Sequence, residues 1–401
     1  MTSMNGHQWN LSRASRIIAA TIVALVAVGS TTATQSQGQM VARAETSYSN
    51  AGVAEAKASV ARARRPVSWK QPGPPIANLS RVKGKTFFYI ANGLDLPPIQ
   101  ALIQGLKAGA KAAGMRVQVA DGRGDPAEIS RQMDRAVGQK SAVVATTSFE
   151  ASSISAAIQH AKQAGVRVIL GFGGDPGLPT AADRRLGVSA YVTFDYSGAG
   201  RLLGDEAVAD SNGKADAAVF DVPESPNAVL EGRAAVNEIH RLCSACKVTL
   251  RHAPLVQWTT NLQTLTSSTL KADPNINYLI PVWDPMVPFM KPAVAALNAQ
   301  NRVKILTYNA DTPQLADLQK GDIVAVDIGS PEVWVGWGMM DQALRVLSGM
   351  KAVVSENIPN RVLDRHNLSA LHLNLGESAA AEKIRYGVDF VTRYKRLWGA
   401  R

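Results

Sequence analysis

The chain has 401 residues, 46% of them hydrophobic and 19% charged, with 43 Lys and Arg against 32 Asp and Glu for a net charge of +11. That length accommodates two ordinary domains, and that composition excludes a disordered or fibrous chain. Two cysteines exclude a disulfide-dense scaffold, and six histidines leave little material for a histidine-rich metal centre. The charge is unevenly placed. Ten basic residues against only Glu45 and Glu55 put +8 before residue 84, which leaves +3 for the other 318 residues. A body so close to neutral offers no electrostatic footprint for nucleic acid, which is not expected as a partner.

Residues 1–33 read as a secretory signal peptide. Arg13 and Arg16 precede an apolar run from Ile17 to Gly29, and Thr31-Thr32-Ala33 supplies a small-residue cleavage site, with Ala42-Arg43-Ala44 as an alternative. Thirteen apolar residues fall short of the roughly 20 needed to span a bilayer. The protein is accordingly expected in the periplasm or outside the cell. Residues 34–83 are rich in Ala, Ser, Arg and Pro and end in Gln71-Pro72-Gly73-Pro74-Pro75. They read as a flexible lead-in in which Ala51–Arg65 can form a polar helix, with Arg62-Ala63-Arg64-Arg65 as a solvated basic run.

From Thr86 a regular rhythm begins. Strand patterns at Thr86–Ala91, Met115–Ala120, Ala142–Thr146 and Val166–Leu170 alternate with amphipathic stretches at Pro97–Ala113, Asp125–Val137 and Ser153–Ala164. The rhythm restarts with helices at Gly198–Ala209, Asn227–Arg241, Thr260–Ala272 and Val287–Ala299. Between and after these lie strands at Ala217–Asp221, Lys247–Leu250, Ile276–Pro281, Val303–Tyr308 and Ile323–Val326, and further helices at Trp334–Leu347 and Ala379–Leu397. Such alternation predicts an α/β fold of two Rossmann-like lobes with parallel sheets and an interlobe ligand cleft. Ligands in such lobes bind outside the carboxyl ends of the strands.

Four stretches in this order carry a resemblance. They are Asn92-Gly93-Leu94-Asp95-Leu96-Pro97-Pro98, Ala120-Asp121-Gly122-Arg123-Gly124-Asp125-Pro126, Val192-Thr193-Phe194-Asp195-Tyr196, and Lys304-Ile305-Leu306-Thr307-Tyr308-Asn309 with Lys320-Gly321-Asp322. Over about residues 84–350 the chain resembles the type 1 periplasmic binding proteins, in particular the ribose-binding-protein-like solute receptors of ABC importers. The resemblance implies three crossings between lobes. Lobe 1 would then comprise 84–192 plus 330–358, and lobe 2 would comprise 193–329 plus 359–401 with a C-terminal helical extension. It also implies a monomer that closes on a small polar ligand, most simply a carbohydrate or polyol. The partner it implies is the membrane permease of an ABC importer, or a chemoreceptor or sensor.

Carried over by position, the ligand-binding residues fall on Asn92, Asp95, Phe172, Asn227, Trp258, Trp283 and Asn309, with Leu96, Pro98, Gly173 and Gly329 nearby. Sugar receptors of this kind commonly have an Asp-Arg pair where this chain has Phe172-Gly173, and an Arg at the position of Asn227. The implied cleft is therefore less charged and more aromatic than a pentose site, and an aromatic or amide-bearing metabolite is the alternative ligand. Trp334 and Trp337 read as core. Asp284, Asp311 and Asp327 read as capping or turn residues. Cys243-Ser244-Ala245-Cys246 fits a short structural disulfide in an exported protein rather than a redox or zinc motif. There is no G-x-S-x-G, H-E-x-x-H or Walker loop, so no catalytic residue, metal or cofactor is assigned. A secreted α/β enzyme remains as the rival class.

Overall fold

The computed structural model describes residues 50–400, apart from Ala77 and Leu178. The signal-peptide reading of residues 1–33 therefore lies outside the described residues, as does the first part of the lead-in. In chain order, helix α1 (50–63) precedes β1 (Thr86–Ala91), α2 (Pro97–Ala113), β2 (Arg116–Asp121), α3 (Pro126–Gly138) and β3 (Val143–Thr147). Next come α4 (Ser155–Gln163), β4 (Arg167–Gly171), α5 (Ala181–Leu186), β5 (Val188–Val192) and α6 (Tyr196–Asp210). They are followed by β6 (Asp216–Asp221), α7 (Pro226–Leu242), β7 (Lys247–His252), α8 (Gln263–Ala272), β8 (Tyr278–Pro281) and α9 (Val287–Ala296). The chain ends with β9 (Lys304–Asn309), α10 (Thr312–Lys320), β10 (Val324–Gly329), α11 (Glu332–Leu347), β11 (Arg361–Asp364), α12 (Ala379–Tyr386) and α13 (Phe390–Trp398).

Local chemistry sets many of these boundaries. Pro97 and Pro98 open α2, where no amide proton is missed, and Gly114 closes it at φ 72°. Asp125 caps α3 by accepting from the Ala127 amide at 2.9 Å, with Pro126 at the first helical position. The strands β1, β3, β6 and β8 are buried on nearly every residue, as strands covered on both faces must be.

The strands form two sheets. The first has order β2-β1-β3-β4-β5 and is parallel throughout. The second has order β11-β10-β9-β8-β6-β7, parallel except that β11 runs antiparallel to β10. Read without β11, each sheet is doubly wound in the same sense, with its strand order reversing between the first and third strand of the lobe. The protein is thus an α/β fold of two Rossmann-like lobes. Helix α6 packs on α7 in the second lobe, whereas α11 returns to pack on α2, β4 and β5 in the first. Both helix pairs meet backbone to backbone. A Cβ on Gly105 or Gly336 would run into the facing backbone of α11 or α2, and one on Gly200 would strike the Glu231 carbonyl of α7.

Two expectations are corrected. The segment 50–76 is not a flexible lead-in: Gly52, Ala56 and Val60 form a buried stripe at four-residue spacing on α1, and Ile76 is buried further on. Lys57 donates to Asn212, and Glu55 pairs with Arg241, which fastens α1 to the second lobe. Arg64, read as solvated, is half-buried and pairs with Asp364 and Glu206. Beyond it the chain runs on to α12 and α13, where Val67 donates to the Tyr386 carbonyl at 2.8 Å and Ile76 to that of Leu397 at 2.9 Å.

The extension is also placed differently. It is two helices broken at Gly387, and α12 and α13 pack on α11 of the first lobe, while α12 also touches the second, where Arg361 of β11 donates to its Arg385 carbonyl. The core they share is aromatic. Trp334 stacks between Trp69 and Phe390, and Trp337 stacks on Tyr394 and Trp398, at centroid distances of 4.9–6.2 Å. Trp334 and Trp337 are thus core, as read. A chain starting at residue 84 loses α1 and Trp69 and bares this cluster. It is expected to melt on the order of 10 °C below a chain starting at residue 46, the equivalent of several kcal/mol of lost burial. Equal melting temperatures by calorimetry would show the segment to be dispensable.

Cys243 and Cys246 form a disulfide that ties the end of α7 to the approach of β7. Among the described residues no helix is long and apolar enough to cross a membrane.

Candidate functional site

The carboxyl ends of both sheets face one cavity of about 840 Å³. Its wall is assembled from strand-end loops at the points where each strand order reverses, which is where doubly wound sheets present ligands. From the first lobe come Asn92 after β1, Ser148 to Glu150 after β3 and Phe172 after β4. From the second come Val222 to Ser225 between β6 and α7, Asn227 in the first turn of α7, Trp258 beyond β7, Trp283 after β8 and Asn309 at the end of β9. Tyr196 and Glu332 add to it from the first turns of α6 and α11, beside the crossings between lobes.

Three of these positions hold an uncommon backbone. Ser148, Phe172 and Asn309 have φ of 66°, 59° and 136°, a region that side-chain-bearing residues rarely adopt. Such strain persists only where surrounding structure fixes it. At Asn309 the fixing group is a buried carboxylate cluster. Asp327 accepts from the Ala310 amide at 2.9 Å, and Asp284 accepts from the Asp311 amide at 2.7 Å and the Thr307 hydroxyl at 2.8 Å. Asp284 and Asp327 thus take the expected turn role, from buried positions, whereas the buried Asp311 side chain caps nothing. Burial pushes the Asp327 carboxyl up to about 7 and raises those of Asp284 and Asp311 well above the usual range.

The floor of the cavity is aromatic. Phe172 stacks on Phe194 at 5.6 Å, Phe194 meets Tyr196 and Tyr308 edge-on, and the two tyrosine rings lie 6.0 Å apart. On the second-lobe side Trp258 and Trp283 are 6.3 Å apart at an angle of 66°. Trp258 begins one turn of π-helix and spends its indole N–H on the Ala253 carbonyl at 2.9 Å, so it offers a solute its ring alone. Trp283 is only half-buried. Asn227 accepts from Ser225 at 2.6 Å and sits beside the Tyr196 hydroxyl. Among the described residues, the Asn92 Oδ1, the Tyr308 hydroxyl and the Glu332 Oε2 are buried without a hydrogen-bond partner. Burial raises the Tyr196, Tyr308 and Glu332 groups well above their ordinary values, and the carboxylates of Glu382, Asp311 and Glu377 add to the rise at Glu332.

The family model described as a periplasmic binding protein domain matches residues 88–351, nearly the whole span of the two sheets. The chain belongs to that family. Among solved structures the binding protein is similar to an ABC transporter solute-binding protein from Agrobacterium vitis with bound allitol, at 17% identity and a TM-score of 0.62 over 72% of this chain and 98% of that one. It is similar also to one from Actinobacillus succinogenes with bound D-allose, at 17% identity and 0.63 over 71% and 99%. A third, from Bacillus halodurans with bound myo-inositol, shares 14% identity and scores 0.61 over 72% and 96%. At these identities the likeness is one of fold. No relative of curated function matches the sequence.

The cleft of the binding protein brings together Asn92, Phe172, Asn227, Trp258, Trp283 and Asn309, with Leu96 and Pro98. Asp95 is not among its lining residues. It is exposed, with its carboxylate lying over Gly93 in its own turn. Gly173 and Gly329 also stay out of the wall. Sequence reasoning missed Tyr196, Tyr308 and Glu332. The signal for the first two was present, since Tyr196 lies within the crossover stretch and Tyr308 precedes Asn309. The cleft is aromatic as expected, but it is not short of charge, because Glu150, Glu224 and Glu332 all line it.

Proposed function

We propose that this protein is an exported solute receptor that closes its two lobes on one small polyhydroxylated molecule and delivers it to the permease of an ABC importer. The observation that carries the reading is the single cavity walled by the strand ends of both lobes, with aromatic faces and unpaired polar groups side by side. Aromatic faces cover the C–H surfaces of a sugar or polyol ring, while amides and hydroxyls pair with its oxygens. Burying the ligand between lobes supplies the free energy of closure, and the closed form is what a membrane partner reads. The leader and the family support a periplasmic place for the chain, and a family of binding proteins calls for no catalytic step.

A thermal-shift screen of the chain from residue 46 against sugars, polyols, amino acids and aromatic acids tests this. A stabilising sugar or polyol, titrating at one site, is the expected result. Stabilisation by aromatic acids alone would replace the polyol with an aromatic ligand, and turnover of the stabilising compound would make the protein an enzyme.

A further inference from the structure

The charge balance of the cleft points to a more specific solute. Three glutamates line the cavity, and no Lys, Arg or His does among the described residues. A neutral polyol needs no such imbalance, since it brings donors and acceptors in equal measure. The imbalance deepens toward the hinge. Glu332 is 5% exposed, and while its Oε1 accepts from the Ser330 hydroxyl at 3.0 Å, its Oε2 has no partner. Glu231 on α7 is wholly buried with both oxygens unpartnered, close enough to Tyr196 and Tyr308 to act on both hydroxyls.

The neighbours offer no internal remedy. The α11 N-terminus, the natural anion site beside Glu332, is already taken. Glu382 of α12 accepts from the Val333 and Trp334 amides at 2.6 and 2.9 Å. The charged groups that act on Glu332 are Glu382, Asp311 and Glu377, all acidic. The tyrosines near it are Tyr89, Tyr196, Tyr308 and Tyr386. The nearby cation, Arg385, is committed to Glu377 at 3.1 Å and to the Leu371 carbonyl at 2.9 Å. A buried carboxylate left so is costly, and an opposite charge within about 4–6 Å is what makes its ionised form favourable. With Glu332 ionised, its unpaired Oε2 and the unpaired Asn92 Oδ1 are both acceptors, so the complement they call for is a group made of donors. An ammonium has three donors and no acceptor.

We infer that the solute carries a protonated amine seated against Glu332, with hydroxyls over the tryptophan faces: an amino sugar or an aminated polyol. This rests on the reading of the cleft as a solute site. Calorimetric titration of the chain from residue 46 at pH 7 tests it with matched sets. These are D-glucosamine, D-glucose and N-acetyl-D-glucosamine, the galactose counterparts, and an inositol with its amino-deoxy analogue. The amine of at least one set is expected to bind about tenfold or more tighter than both its neutral parent and its acetylated form, as a charge-assisted pair requires. Glu332→Gln, an isosteric change, is expected to erase that preference, bringing the amine and its neutral parent to within about twofold of one another.

A readout on the unaltered protein guards against a variant that misfolds. Over the range in which the amine stays protonated, its affinity is expected to fall as pH is lowered and Glu332 takes up a proton, whereas affinity for a neutral parent holds or rises. Neutral parents that bind as tightly as their amines would overturn the inference and leave the solute-receptor reading standing. Failure of every hydroxylated compound, aminated or not, would bring down both.

Discussion

Replacing Trp283 with alanine is expected to weaken solute binding by about 10- to 100-fold, the ~1–3 kcal/mol that truncating a well-packed aromatic anchor costs. The expectation follows from how the two tryptophans divide their work. Trp258 is 6% exposed and fixed by its indole N–H to the Ala253 carbonyl, so much of its surface serves the core of the second lobe. Trp283 is half-buried and packs against both hydrophobic cores, at the start of the turn after β8. Its exposed face has no other use in the described structure. Truncation should therefore cost little stability, about 1–2 kcal/mol for the part that is buried, and much affinity. Titration calorimetry beside a melting curve separates the two. Unchanged affinity would show that the solute lies elsewhere in the cavity.

Stability is expected to fall as pH rises from about 5 to 8. Burial pushes the carboxyls of Glu206 and Glu382 up to about 8, Asp327 to about 7 and Asp205 to about 6. Their ordinary values lie near 4, so over this window the native protein keeps protons that the unfolded chain has released. Each such proton lowers stability by about 1.4 kcal/mol per pH unit until its folded pKa is passed. Below pH 4 the opposite group takes over. Asp210, Asp322 and Asp389 are held low by lysine partners, and their contribution is lost as they protonate. The melting temperature should thus peak in mild acid. Glu206→Gln removes one of the protons concerned and should flatten the decline above pH 6. A melting temperature that is constant or rising between pH 5 and 8 would contradict the buried-acid account.

Much of the fold was legible because parallel strands covered on both faces are short apolar runs, and their helices carry caps and stops such as Asp125 and Gly114. The short pieces were not. Helix α10 opens with Thr312-Pro313 and has only nine residues, and β11 is a four-residue edge strand after a long crossing. The docking of helix α1, though not the helix itself, escaped for a different reason. Its buried stripe is Gly52, Ala56 and Val60, residues so small that the face looks polar, and the smallness is what lets it lie against the Leu242 carbonyl. In the site, residues on strand-end loops could be placed by position within a motif. Glu332 could not, since its hydrogen-bond partner is its near neighbour Ser330, and what marks it, a buried place on the cavity wall beside tyrosines and carboxylates of distant segments, exists only in three-dimensional packing.

The left-handed backbone at Ser148, Phe172 and Asn309 also sets how this receptor can be retargeted. A side chain swapped there must tolerate that conformation, and for most residues other than glycine, asparagine or aspartate the cost is roughly 1–2 kcal/mol before any contact with solute is counted. Asn227 sits in the first turn of a helix and Trp283 in extended backbone at φ −143°. These two carry no such restriction. A library built to turn the protein into a sensor for another molecule would vary positions 227 and 283 freely and keep 148, 172 and 309 as they are, so the backbone itself, before any solute is chosen, divides the recognition surface into positions that can change and positions that cannot.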